Sequence, residues 1–180
     1  RTTLKPLQVA AAALLSLLLW ITPPAQAARD TNSYDGNIFA LYAGDGALVP
    51  PHISLAEALA ERRPVLLAFF LDDSSASKNF APLLSDLQAR WGKVVEVIAL
   101  ASDAYSVNPK AAADDPSHYW RGTVPQLLVL DDQGKVLYDI DGVMESAEIE
   151  SALSKATGIE LRIEERSSSS FNEINSGYSS

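Results

Sequence analysis

The chain has 180 residues and 47% hydrophobic content, enough for one domain with a core, and a formal charge of −9. Arg1 and Lys5 are the only charged residues in 1–27, so the remainder carries −11; with no basic stripe to offset it, that balance argues against a nucleic-acid partner. There is no cysteine, which excludes disulfides, cysteine metal sites and dithiol–disulfide exchange.

Arg1 and Lys5 precede an apolar run from Leu7 to Ile21, which leads into Thr22-Pro23-Pro24-Ala25-Gln26-Ala27. A positive start, an apolar stretch and small residues at Ala25 and Ala27 are the parts of an export signal. As a helix, the run would span about 22 Å at ~1.5 Å per residue, short of a ~30 Å hydrocarbon core. Residues 1–27 are therefore read as a signal peptide, with an uncleaved membrane anchor as the alternative. Either way the positive end stays cytoplasmic and the acidic domain crosses.

Residues 28–53 mix Asp, Asn, Gly and Pro around one apolar patch, Ile38-Phe39-Ala40-Leu41-Tyr42. They read as a linker with an edge strand at that patch. Ser54-x-x-Glu57 is a capping-box signature for a short helix ending before Pro64. The continuous apolar run 65–71 predicts a strand buried on both faces. Phe80, Leu83, Leu84, Leu87 and Trp91 recur at helical spacing, so a helix over 75–91 should pack one face on that strand, kinked at Pro82. A second strand, Val94 to Leu100, completes a βαβ unit. After a polar connection over 101–123, Val124 to Leu130 and Val136 to Ile140 flank Asp131-Asp132-Gln133-Gly134, a hairpin signal. Ile149, Ala152, Leu153 and Ala156 give a last helix its apolar face, closed by Gly158. The Ser-rich tail, 166–180, has the composition of a disordered segment.

Little in the chain has the pattern of a hydrolytic, metal or nucleotide site. His118 falls in the long connection and could approach Ser74, but a Ser–His hydrolase also needs an orienting carboxylate and an oxyanion hole, and there is no Gly-x-Ser-x-Gly elbow. His52, beside Pro50-Pro51, reads as a linker residue. The pairs Asp72-Asp73, Asp114-Asp115 and Asp131-Asp132 lack calcium-loop spacing and sit where Asp serves turns and caps. We expect no metal, no phosphate loop and no cofactor.

The strand 64–71, the turn Asp72-Asp73-Ser74-Ser75-Ala76-Ser77-Lys78 and the Pro82-containing helix resemble the active-site segment of thioredoxins. Arg121-Gly122-Thr123-Val124-Pro125 is similar to that family's Gly-x-x-Pro, whose proline is cis and faces the active-site turn. The Asp132 to Gly142 hairpin and final helix complete the resemblance, which implies an α/β thioredoxin-like fold, a central mixed sheet flanked by helices, over 54–165. It places Ser74 and Ser77 at the two cysteine positions, Asp73 at the usual tryptophan and Ala68 at the buried aspartate. Nucleophile, resolving thiol and proton-handling carboxylate would then all be missing.

What the resemblance leaves is a peptide groove at Ser74, Ser77, Thr123, Val124 and Pro125, where free N–H groups at the helix start attract acceptors and the Thr123-Val124 backbone pairs with an extended chain. The alternative for the two serines is helix capping. The segment Ser33 to Gly44 also resembles thioredoxin-like proteins of cyanobacterial thylakoids, some of them photosystem I accessory factors. That implies a redox-inactive, non-enzymatic protein, in the thylakoid lumen or on its membrane face, with the periplasm as the alternative. It would act by protein–protein binding as an assembly or accessory factor of a membrane complex, with photosystem subunits as partners. The rival reading is Ser74-dependent glutathione-type ligand binding or transfer. Transferases of this fold need a second helical domain, and only 22 residues follow Gly158.

Overall fold

The computed structural model describes residues 29–159. Residues 1–27, expected to be a signal peptide, and the tail 166–180 lie outside them, as does the end of the expected 54–165 domain beyond residue 159.

Four strands form one mixed sheet: β1 (Val65–Phe70), β2 (Glu96–Ala101), β3 (Gln126–Leu130) and β4 (Val136–Asp141), in the order β2-β1-β3-β4. β1 runs parallel to β2 and antiparallel to β3, and β3 pairs antiparallel with β4. The long helix Ser75–Trp91 makes the crossover between β1 and β2, and a helix at Ser146–Thr157 follows β4. A βαβ unit followed by a hairpin and a closing helix is the thioredoxin-like α/β arrangement that the sequence implies. β1 and β4 begin where expected, whereas β2 and β3 each begin two residues later. Val94 lies in the turn leaving the long helix, its N–H on the Trp91 carbonyl, and Val124-Pro125 precede β3.

The strands alternate between two cores. Leu66, Ala68 and Phe70 of β1, with Leu127 and Val129 of β3, face the long helix and the final helix. Val65, Leu67 and Phe69, with Leu128 and Leu130, face the helix Leu55–Ala60 together with Tyr119 and Trp120 from the long connection. Burial on both faces is why β1 and β3 read as unbroken apolar runs. The helix Leu55–Ala60 opens with the predicted capping box: Ser54 Oγ accepts from the Glu57 N–H, and the Glu57 carboxylate accepts from the Ser54 N–H at 2.8 Å.

The segment 28–53 corrects the sequence reading. Ile38–Ala43 is a helix, not an edge strand, and it belongs to the core rather than to a linker. Asn37 caps its N-terminus by accepting from Phe39 and Ala40, and Gly44 ends it in the left-handed region at φ 68°. Ile38 and Phe39 are fully buried, with Phe39 edge-on to Phe70 at 4.9 Å between ring centres. The patch was short enough to suit either period, and tertiary packing decided for the helix. In chain order the helices are α1 (Ile38–Ala43), α2 (Leu55–Ala60), α3 (Ser75–Trp91) and α4 (Ser146–Thr157).

Candidate functional site

β1 ends at Phe70, and the turn 71–74 delivers the chain into α3. Phe69 pairs with Gln126, so Pro125 stands at this same end of the sheet, one residue before β3. The Val124–Pro125 peptide bond is cis, and the Gly142 N–H donates to the Pro125 carbonyl at 2.9 Å. All five residues of the expected groove therefore gather at one end of the sheet, on the α3 start and the β3 entry.

The two serines are occupied as structural groups. Ser74 is the N-cap of α3, its Oγ accepting from the Ser77 N–H at 3.3 Å. Ser77 is fully buried, and its Oγ accepts from the Leu71 N–H at 3.1 Å, closing the turn. The helix start is also filled from elsewhere in the chain: the Ser75 N–H donates to Asn32 Oδ1 at 2.9 Å. An incoming anion would have to displace these partners, so the end of α3 is not the open acceptor site that the sequence suggested.

Asn32 belongs to a strap, residues 31–35, that sequence reasoning missed. Lys78 is fully buried, and its ammonium donates to the Thr31 carbonyl at 3.0 Å and to the Asp35 carboxylate, with the Tyr42 ring 5.8 Å away. The hydrogen bond from Lys78, followed by that from the Tyr42 hydroxyl, holds the Asp35 carboxyl below its ordinary pKa. Asp72 ties α1 to the same turn, its Oδ1 accepting from the Ile38 N–H at 3.2 Å. Burial raises the Asp72 pKa against that hydrogen bond, with Asp103 and Asp73 pushing the same way. A signal was present: Lys78 is three residues before Ala81 and falls on the buried stripe of α3, where a cation needs a counter-charge.

The loop before β3 is fixed just as closely. Gln126, fully buried, donates from Nε2 to the Tyr119 carbonyl and to Asp139, while its Oε1 accepts from the Arg121 N–H. Arg121 in turn reaches Asp139 and Asp141 of β4, each at 2.9 Å. Thr123 is exposed and Val124 half-buried on the resulting rim. His118 is held in its own loop, Nδ1 lying 2.9 Å from the Ala111 carbonyl. The acid pairs serve turns: Asp115 caps the Ser117 N–H, and Asp131 Oδ1 accepts from Gln133 and Lys135. Among the described residues no group of three or more His, Asp or Glu is placed to hold a metal.

Beside Pro125 the surface opens into an apolar groove of about 490 Å³ between α3 and the loop joining β4 to α4. Ala76, Asn79, Phe80 and Leu83 form one wall and Gly142, Val143, Met144 and Ser146 the other. None of Ser74, Ser77, Thr123, Val124 and Pro125 lines this groove; a hydrogen bond from the Gly142 N–H to the Pro125 carbonyl links its wall to the β3 entry, and Val143 is 89% exposed on its lip. A second groove of similar volume, lined by Pro50, His52, Tyr105 and Pro116, shares no residue with this one.

No family model matches the chain. The thylakoid membrane protein slr1796 of Synechocystis sp. (strain ATCC 27184 / PCC 6803 / Kazusa) is 35% identical over 174 residues, covering 91% of this chain and 87% of that protein. Among solved structures, a point mutant of the thioredoxin from Halobacterium salinarum NRC-1 is similar with a TM-score of 0.44 and 18% identity, over 59% of this chain and 86% of that one. No helix among the described residues is long and apolar enough to cross a membrane.

Proposed function

The chain belongs to the family of the Synechocystis thylakoid membrane protein slr1796, and from that premise we propose that it is a redox-inactive, thylakoid-membrane-associated protein that works by binding other polypeptides. Its task is to assemble or stabilise a membrane complex on the lumenal side, photosystem I being the complex that the sequence resemblance raises. The observation that carries this reading is the apolar groove at Phe80, Leu83, Val143 and Met144, joined through Gly142 to Pro125, beside two serines whose oxygens are spent on backbone N–H groups. The groove borders Ala76, between the two serines that the resemblance places at thioredoxin's cysteine positions, and a chain without cysteine has no thiolate to use there. The rival glutathione-type reading asks Ser74 Oγ to leave its capping role, and nothing in the geometry favours it.

The test is a tagged pull-down of the full chain from gently solubilised native membranes, run in parallel with Val143→Asp. Val143 is exposed, so the change leaves the fold intact while placing a charge on the lip. Specific enrichment of membrane-complex subunits, lost in the variant, supports the reading. Equal recovery with both chains refutes the groove as the contact. A stabilising shift on adding glutathione or its conjugates would favour the ligand-binding rival; a ligand at 100 times its Kd adds about 2.7 kcal/mol.

A further inference from the structure

We propose that the outer edge of β4 takes an added strand from another polypeptide, one that alternates apolar side chains with Lys or Arg. This surface shares no residue with the groove of the proposed function and stands independently of it.

β4 ends the sheet, and no described strand lies beyond it. At the other margin β2 is buried over Val97, Ile98 and Ala99, whereas Val136, Asp139 and Asp141 of β4 are exposed. The Gly142 N–H donates to the Pro125 carbonyl, and the antiparallel register pairs Leu127 with Ile140 and Val129 with Tyr138. Bonded pairs alternate along such a ladder, so Tyr138 and Ile140 turn their backbone groups to β3, and Asp139 and Asp141 turn theirs outward. No described residue is hydrogen-bonded to those outward N–H and C=O groups. The register shift lies between Val129 and Leu130, which leaves 138–141 as a regular edge, a template for pairing.

The flanking side chains define the partner. Those of an added strand directly opposite Asp139 and Asp141 fall beside two carboxylates that share one guanidinium, Arg121, at 2.9 Å each. One negative charge is left over. Burial holds the Asp139 carboxyl above its ordinary pKa despite Gln126 and Arg121, and Asp141 pushes the same way. A Lys or Arg at those positions completes the pairing. Side chains opposite Tyr138 and Ile140 point to the other face, the α4 side. There Leu137, Tyr138, Ala147, Glu148, Ser151, Ala152 and Lys155 line a groove of about 440 Å³. The Glu148 carboxylate accepts from the Tyr138 hydroxyl at 2.7 Å, leaving the ring and the two alanines to meet apolar side chains.

The two other sources of a strand fit less well. A second β4 in antiparallel pairing sets Asp139 against Asp141 or against its own copy, and directly opposed like charges are destabilising. A strand following directly on α4 would run parallel to β4 on the side away from β3. α3 and α4 cover the same face and β4 is parallel to β1, so that crossover would have the hand opposite to β1–α3–β2. Such crossovers keep one hand in about 98% of cases.

The experiment reads amide hydrogen exchange by NMR in the full chain in mild nonionic detergent, alone and with two synthetic peptides. One alternates valine with lysine, the other valine with glutamate. Alone, Asp139 and Asp141 should exchange faster than Tyr138 and Ile140 at every protein concentration. The valine–lysine peptide should slow Asp139 and Asp141 about tenfold, less at high salt, and the valine–glutamate peptide should leave them unchanged. Asp141→Asn removes the spare charge from an exposed position and should weaken the valine–lysine peptide about threefold. Slowing spread over the acidic chain without the 139 and 141 pattern would mean general charge attraction and overturn the proposal. Protection of both amides in the dilute chain alone, marking a strand of its own, would overturn it as well. So would protection that appears as concentration rises, marking a second copy, or no response to the valine–lysine peptide. The groove reading is unaffected by each of these outcomes, since Val143→Asp tests it separately.

Discussion

Truncating Phe39 to alanine tests whether the segment before residue 54 is part of the fold. The ring is fully buried between α1 and the sheet and stands edge-on to Phe70 at 4.9 Å, with an 83° angle between planes. Removing a buried phenyl ring costs about 3–5 kcal/mol in lost transfer energy and residual cavity, of which the edge-to-face contact contributes about 0.5–1.5. Against a total stability of about 5–15 kcal/mol for a domain, that is a large fraction. Urea unfolding of the full chain in mild nonionic detergent can be followed through the buried Trp91 and Trp120. The midpoint should fall in a single transition with unchanged slope, because α1 unfolds with the sheet. A double-mutant cycle with Phe70→Ala should return a coupling of about 0.5–1.5 kcal/mol. A loss below about 0.5 kcal/mol, the range of an uninvolved surface position, would refute the packing argument and restore the linker reading.

Three further outcomes follow from the site. Asp35→Asn removes the carboxylate facing Lys78, and hydrogen exchange should show faster exchange at Ser75, whose N–H rests on Asn32 of the same strap; unchanged protection there would mean that the strap is held without the ion pair. Asp72→Asn keeps the Oδ1 acceptor for the Ile38 N–H and removes a charge that burial, Asp103 and Asp73 all disfavour. Its folded pKa is raised, so the charged form is penalised above that pKa and the penalty is gone below the unfolded value near 3.8. The variant should therefore melt higher than wild type at pH 7 and converge with it as the pH falls below 4; a lower melting point at pH 7 would contradict this. Ser74→Cys with Ser77→Cys should reduce insulin far more slowly than an ordinary thioredoxin, because Ala68 supplies no proton-handling group and position 77 is fully buried, and rates near a thioredoxin's would refute it.

What was legible in the sequence was what local pattern dictates. The buried strand over 65–71, the α3 boundaries, the Ser54–Glu57 box and the hairpin at Asp131–Gly134 each carry their signal within a few residues. α1 was misread because five apolar residues in a polar setting fit either period, and the deciding contact, Phe39 on Phe70, is 31 positions away. The same limit hid the strap. Lys78 stood in plain view after Ser77, but its partners Thr31 and Asp35 are more than forty residues upstream and look like linker composition. The groove escaped because its walls come from α3 and from the loop after β4, brought together only by the sheet order.

The pairing of α1 with α3 also sets a timetable. The N-terminal part leaves the ribosome first, yet Lys78 lies 47 residues after Thr31 and 43 after Asp35. At about 5–20 residues per second, roughly 2–9 s pass before α3 exists to receive them. During that interval Ile38 and Phe39 have no core to enter, and the segment that will clasp the finished domain has nothing to clasp.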